Sequence, residues 1–238
     1  MKLSQSFLRE FAFIRRNRSV ILAVFLTCFL SSVSVIGGLF EVKDQQQTIE
    51  QLTAADEQDR SLALSEQGDW GGAAFYSFHL TYDPPAPFAF AAMGQRDSKP
   101  WKHRIRMLAL EGQIYERDTN NPLIALIGRF DFSFFSAFVL PFIMIVLFHD
   151  LRSSERREGR YHLLLITATT SKLWFIRTAV ISLALFIVTI IPLIIASIIN
   201  GVSVQILSSA ILFLAAYTIF WSVICFWFAS WKKASSSI

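Results

Sequence analysis

The chain has 238 residues, 53% of them hydrophobic, and a mean hydropathy of +0.46. That exceeds the apolar share of soluble domains, about 45–50% even with glycine counted, and excludes a soluble globular class in favour of an integral membrane protein. The net charge of +4 is mild, and its distribution excludes a nucleic-acid footprint: the basic excess sits in short segments beside apolar runs, where the positive-inside rule places the cytoplasm.

Residues 1–18 carry Leu3, Phe7, Phe11 and Ile14 at helical spacing, with Arg9, Arg15, Arg16 and Arg18 on the other faces. This pattern predicts a cytoplasmic amphipathic helix in the headgroup layer, its apolar side in lipid. Residues 19–40 are the first predicted transmembrane helix. The apolar run Val20 to Phe40 is long for a signal h-region, and no small-x-small cleavage site follows it.

Residues 41–130 form a polar insert, more acidic than basic, predicted as an external (periplasmic) α or α+β domain between helices 1 and 2. Glu41 to Gln67, without Pro or Gly, should continue the first helix out of the membrane until Gly68-Asp-Trp70-Gly-Gly72 stops it. Beyond that point Pro84, Pro85, Pro87, Pro100 and Pro122 punctuate short aromatic runs, which suits a small domain with turns and short strands.

Residues 131–149 are the second predicted span. Residues 150–172 are a charged cytoplasmic island, with Arg152, Arg156, Arg157, Arg160 and Lys172 among its basic residues. No Asp, Glu, Lys or Arg occurs from Thr178 to Trp231, a stretch too long for one helix. Asn200-Gly201 divides it into a third span, 173–199, and a fourth, 204–231. Pro192 lies within the third span. Trp174, Trp227 and Trp231 fall where an aromatic belt is expected. Residues 232–238, with Lys232 and Lys233, form a cytoplasmic tail. The predicted fold is therefore mainly α: a polytopic helical membrane protein with four spans and both termini inside.

No phosphate-loop motif, His-Glu-x-x-His or Gly-x-Ser-x-Gly occurs, so no catalytic residue is assigned and the chain is not expected to be an enzyme. His79 and His103, with Met93 and Met107 nearby, would suit Cu(I) by softness, but their spacing matches no ligand pattern, and no metal site is assigned. Cys28 and Cys225 both lie in apolar spans and suggest no disulfide. Asp131 is expected to pair with Arg129 or to snorkel to the external interface. The island reads in two ways: an ordinary charged loop, or a short amphipathic helix with Tyr161, Leu164 and Leu165 able to dock in another protein's groove.

The segment Glu155-Arg156-Arg157-Glu158-Gly159-x-x-x-Leu163-Leu164-x-x-Thr167, followed by Ser171 and Lys172, resembles the segment after the second span of ABC-2-type transporter permeases. The run from Thr81 through Tyr82, Asp83, Pro84, Pro85 and Pro87 to Gly94, Gln95, Arg96 and Asp97 resembles the external domain of a bacterial subfamily labelled multicopper-enzyme-maturation-type permeases. Glu111, Gly112, Gln113 and then Arg129 and Asp131 extend that resemblance.

The resemblance implies a permease subunit in a bacterial inner membrane that works with a separate ATP-binding cassette subunit to export or extract an unknown substrate. No cofactor would lie in this chain; ATP and Mg would be held by the partner. Glu155, Arg156, Glu158, Gly159, Leu163 and Leu164 would then form a coupling helix against that ATPase. Gly159 would provide either a close backbone approach or a helix stop. Such permeases usually have six spans, so the resemblance also implies a second permease chain or further C-terminal spans, in a homo- or hetero-oligomer within the lipid membrane. A non-transporting scaffold or sensor whose external domain binds a partner protein is the alternative.

Overall fold

A computed structural model describes residues 10–12, 15–77, 79–94, 96, 101–105, 130–149, 155, 159 and 170–231. The described residues are mainly helical and fall into two compact units: residues 1–34 with 133–238, and residues 35–132.

Helix α1, Arg18–Gln67, is continuous over 50 residues and contributes to both units. It meets the expectation that the first span would run on through the polar 41–67 segment, where Gln, Glu, Asp and Ala keep helix propensity high without Gly or Pro. Gly68 ends it at φ +67°, a left-handed conformation that glycine adopts without a Cβ penalty. A second helix that the sequence did not announce, α2 (Trp70–Tyr76), follows at once, because the Asp69 carboxylate accepts from the Gly72 N–H as an N-cap.

In the 35–132 unit, β1 (His79–Tyr82) pairs antiparallel with β2 (Lys102–Ile105), with Thr81 opposite His103. A short 3-10 turn, Ala89–Ala91, places Phe90 in the core of this unit. The Phe90 backbone lies against α1 at Gly38, where an added Cβ would come within 1.9 Å of the Phe90 carbonyl oxygen. The glycine there is required by space.

The other unit is built from helices. Helix α3, Phe132–Phe148, contains a wider π-type turn at Phe135–Val139, which ends two residues before Pro141. Proline has no N–H, so the Ala137 carbonyl lacks its ordinary α-helical donor. The Tyr217 hydroxyl, from another helix, donates to that carbonyl at 2.8 Å. Helix α4, Thr170–Ile199, runs through Pro192; one residue beyond the Val188 carbonyl that this proline deprives of a donor, the Thr189 carbonyl accepts from the Ser31 hydroxyl at 3.0 Å. Side-chain repair of the kind Tyr217 makes at the Ala137 carbonyl is how membrane helices accommodate proline. Asn200-Gly201 ends α4 as expected, with Gly201 at φ +64°, and α5, Val204–Trp231, follows.

Among the described residues, three helices are long and apolar enough to cross a membrane: α1, the Leu173–Ile199 part of α4, and the Val204–Ala229 part of α5. Helix α3 is apolar but shorter than these. Large side chains such as Phe25, Phe213 and Phe220 are exposed along them, a surface suited to lipid and too extensive for water. Facing positions carry buried small polar residues: Thr27, Ser31, Thr189, Ser182 and Ser222. Hydroxyls at such positions link membrane helices where apolar burial supplies no net drive.

Candidate functional site

Arg177 lies in the second turn of α4, just before the charge-free stretch. A guanidinium there must find counter-charge or reach water. It is only 3% exposed, and it donates to Glu10 Oε2 through Nε at 2.8 Å and to Glu155 Oε1 through Nη1 at 2.9 Å. Glu10 and Glu155 are equally buried, at 2% and 3% exposure. The guanidinium also lies over the Trp174 ring, 5.2 Å from its centroid, a cation–π contact made stronger by the absence of water.

Trp174 is thus a buried platform and not the lipid-facing belt residue that its sequence position suggested. Placed three residues apart, Trp174 and Arg177 share one face of α4. That face collects a carboxylate from the N-terminal segment and another from the charged island. Breaking a buried, hydrogen-bonded ion pair by removing one partner costs about 3–5 kcal/mol, so three segments distant in sequence are held as one piece.

Of the residues assigned to coupling, Glu155 is drawn inward and its carboxylate faces Arg177. Gly159 is exposed at φ +69°, a left-handed conformation that suits glycine, and among the described residues no atom lies within 4 Å of its Cβ position. Arg156, Glu158, Leu163 and Leu164 lie outside the described residues.

Glu10 was not singled out in the sequence, since one acid among Arg9, Arg15, Arg16 and Arg18 reads as a solvated charge. The signal that could have found it is Arg177 itself, whose place beside a charge-free run demands a carboxylate from elsewhere.

In the 35–132 unit the motif residues group in part. Asp131 is buried and accepts from the Gly94 N–H at 2.8 Å, so it binds backbone inside the unit and does not snorkel outward. Arg96 donates to the Asp83 carbonyl and pairs with its carboxylate at 3.4 Å, while the Asp83 N–H donates to the Trp101 carbonyl. Pro85 is buried; Pro84 and Tyr82 are exposed. Gln95, Asp97, Glu111, Gly112, Gln113 and Arg129 lie outside the described residues. Among the described residues, no group of three His, Cys, Asp or Glu side chains could hold a metal ion.

Protein-family models, curated proteins and solved structures were all compared with the chain, and none matches it.

Proposed function

We propose that the chain is the membrane subunit of an ABC-2-type exporter, in which a separate ATP-binding cassette subunit hydrolyses ATP and this chain carries the motion to the spans. The single observation that supports this reading is the Glu10–Arg177–Glu155 clamp. It joins the island whose sequence resembles a coupling segment to the first turns of α4 and to the segment leading into α1.

In this reading Phe132–Phe148 is a fourth, short span. Residues 41–130 are periplasmic, and both termini and Glu155 face the cytoplasm of a bacterial cell. A displacement of the island pulls on Arg177 and hence on α4, because separating the charges in a dry site is costlier than moving the helices together. The substrate would move outward, or out of the lipid, along surfaces that shift with α4.

The test is ATP turnover of a cognate cassette subunit bound to this chain. Substitution of Glu158 and Gly159 is expected to lower association or stimulated turnover. Unchanged association and turnover would remove the coupling role and favour the scaffold or sensor reading.

A further inference from the structure

In the 35–132 unit, the last turns of α1 and the short α2 line a common cleft of about 420 Å³ on either side of the Gly68-Asp69 turn. That volume falls within the range of small-ligand sites, about 300–1,000 Å³. Glu57, Arg60 and Leu64 supply the α1 wall, and Trp70, Ala73 and Ala74 the α2 wall. Spacings of i+3, i+4 and i+7 put each set on one face of its helix.

Two helix faces brought together in this way ordinarily close on their largest apolar side chains. Here the cleft stays open, and Trp70 is 77% exposed. The face of an indole ring carries negative potential, so an open indole attracts a cationic group as well as an apolar one.

Charge selects between the two. The Nε of Arg60 lies 3.3 Å from Asp56 Oδ2, so its charge is answered within α1. Glu57 stands on the same face as Arg60, where opposite charges three residues apart usually meet, yet among the described residues it has no ion-pair partner. The cleft therefore presents an unanswered carboxylate together with an open aromatic ring, over an apolar floor of Leu64, Ala73 and Ala74. Both Glu57 and Trp70 are exposed, so an occupant reaches them directly from water.

Position along α1 decides against a lipid headgroup as the source of the cation. About 26 Å of continuous helix, at 1.5 Å per residue, separates Glu57 from Phe40 at the end of the apolar run. A headgroup layer is only ~5–8 Å deep. We propose that the cleft binds a small soluble organic cation, a substituted ammonium whose nitrogen lies between the Glu57 carboxylate and the Trp70 ring and whose apolar part rests on Leu64, Ala73 and Ala74. This site stands independently of the proposed transport function.

The experiment uses the full chain in an uncharged maltoside detergent and reads saturation transfer from the protein to the N-methyl protons of benzyltrimethylammonium, with empty micelles as the blank. Saturable transfer is expected, weakening as salt is raised, while benzoate, of similar size and opposite charge, shows none. Glu57→Gln and Trp70→Leu are each expected to weaken binding about threefold, as the loss of one exposed ion pair or one exposed cation–π contact does, and about tenfold together. Both side chains are exposed, so the variants should melt at the temperature of the natural chain. N-acetyl-lysine methylamide, which presents its ammonium as a protein side chain would, is expected to bind more weakly than the benzyl compound. No saturable transfer, equal transfer to benzoate, or full binding by the double variant would each overturn the proposal; tighter binding of the lysine compound would overturn the small-cation assignment in favour of a protein side chain.

Discussion

Arg177 carries the strongest single-residue consequence. Arg177→Met removes the guanidinium from two buried carboxylates and is expected to destabilise the helical unit by about 3–5 kcal/mol, read as a lower melting temperature in detergent. Replacing Glu10, Arg177 and Glu155 together by apolar residues of similar size should recover most of that loss, because no charge is then stranded. A triple variant as unstable as the single one would show that the clamp does not act as a closed unit. A matched glycine pair tests packing in the other unit. Gly38→Ala forces a methyl against the Phe90 carbonyl and should cost about 1–3 kcal/mol, as overpacking does. Gly37→Ala, whose nearest such contact is 4.0 Å away, should be neutral or stabilising by about 0.5–1 kcal/mol through helix propensity. Equal melting temperatures for the two would contradict the close approach. At this scale the sequence revealed that Arg177 is charged beside an apolar run, but not which acids answer it. Glu10 is separated from it by 167 positions, and only the tertiary fold brings the two together.

At the scale of elements, chain punctuation was the most legible feature. Gly68 and Gly201 end helices where the sequence placed stops, because a left-handed residue is the common way to close a helix and glycine adopts it without strain. The charge-free run from Thr178 to Trp231 likewise divided where Asn200-Gly201 predicted. The π-type turn in α3 was not legible, nor was its repair, since Pro141 announces a missing donor without naming the group that compensates. The coupling of these features can be measured by a double-mutant cycle. Tyr217→Phe should cost about 1 kcal/mol in the natural background. In a Pro141→Ala background, where residue 141 regains its N–H and can serve the Ala137 carbonyl, Tyr217→Phe should cost clearly less. Additive effects would mean that Tyr217 does not compensate for the proline. The pairing of β1 with β2 was foreseen only as short strands, because its register joins residues about twenty positions apart across a turn-rich segment.

For the whole molecule, composition alone placed the chain in a membrane, and the apolar surfaces of α1, α4 and α5 agree with that placement. Function was less legible, because the reading proposed above depends on a partner subunit outside this chain; within the chain, Glu155 turns inward to hold Arg177. In the proposed function, the clamp makes the segment around Glu155 a handle on α4. The most direct measurement is purification of this chain from its native host in mild detergent, followed by mass spectrometry of what remains bound. Recovery of an ATP-binding cassette subunit in a fixed ratio to this chain is expected, diminished when Glu158 and Gly159 are substituted. Recovery of the chain alone, or only with partners that bind no nucleotide, would contradict the proposed function.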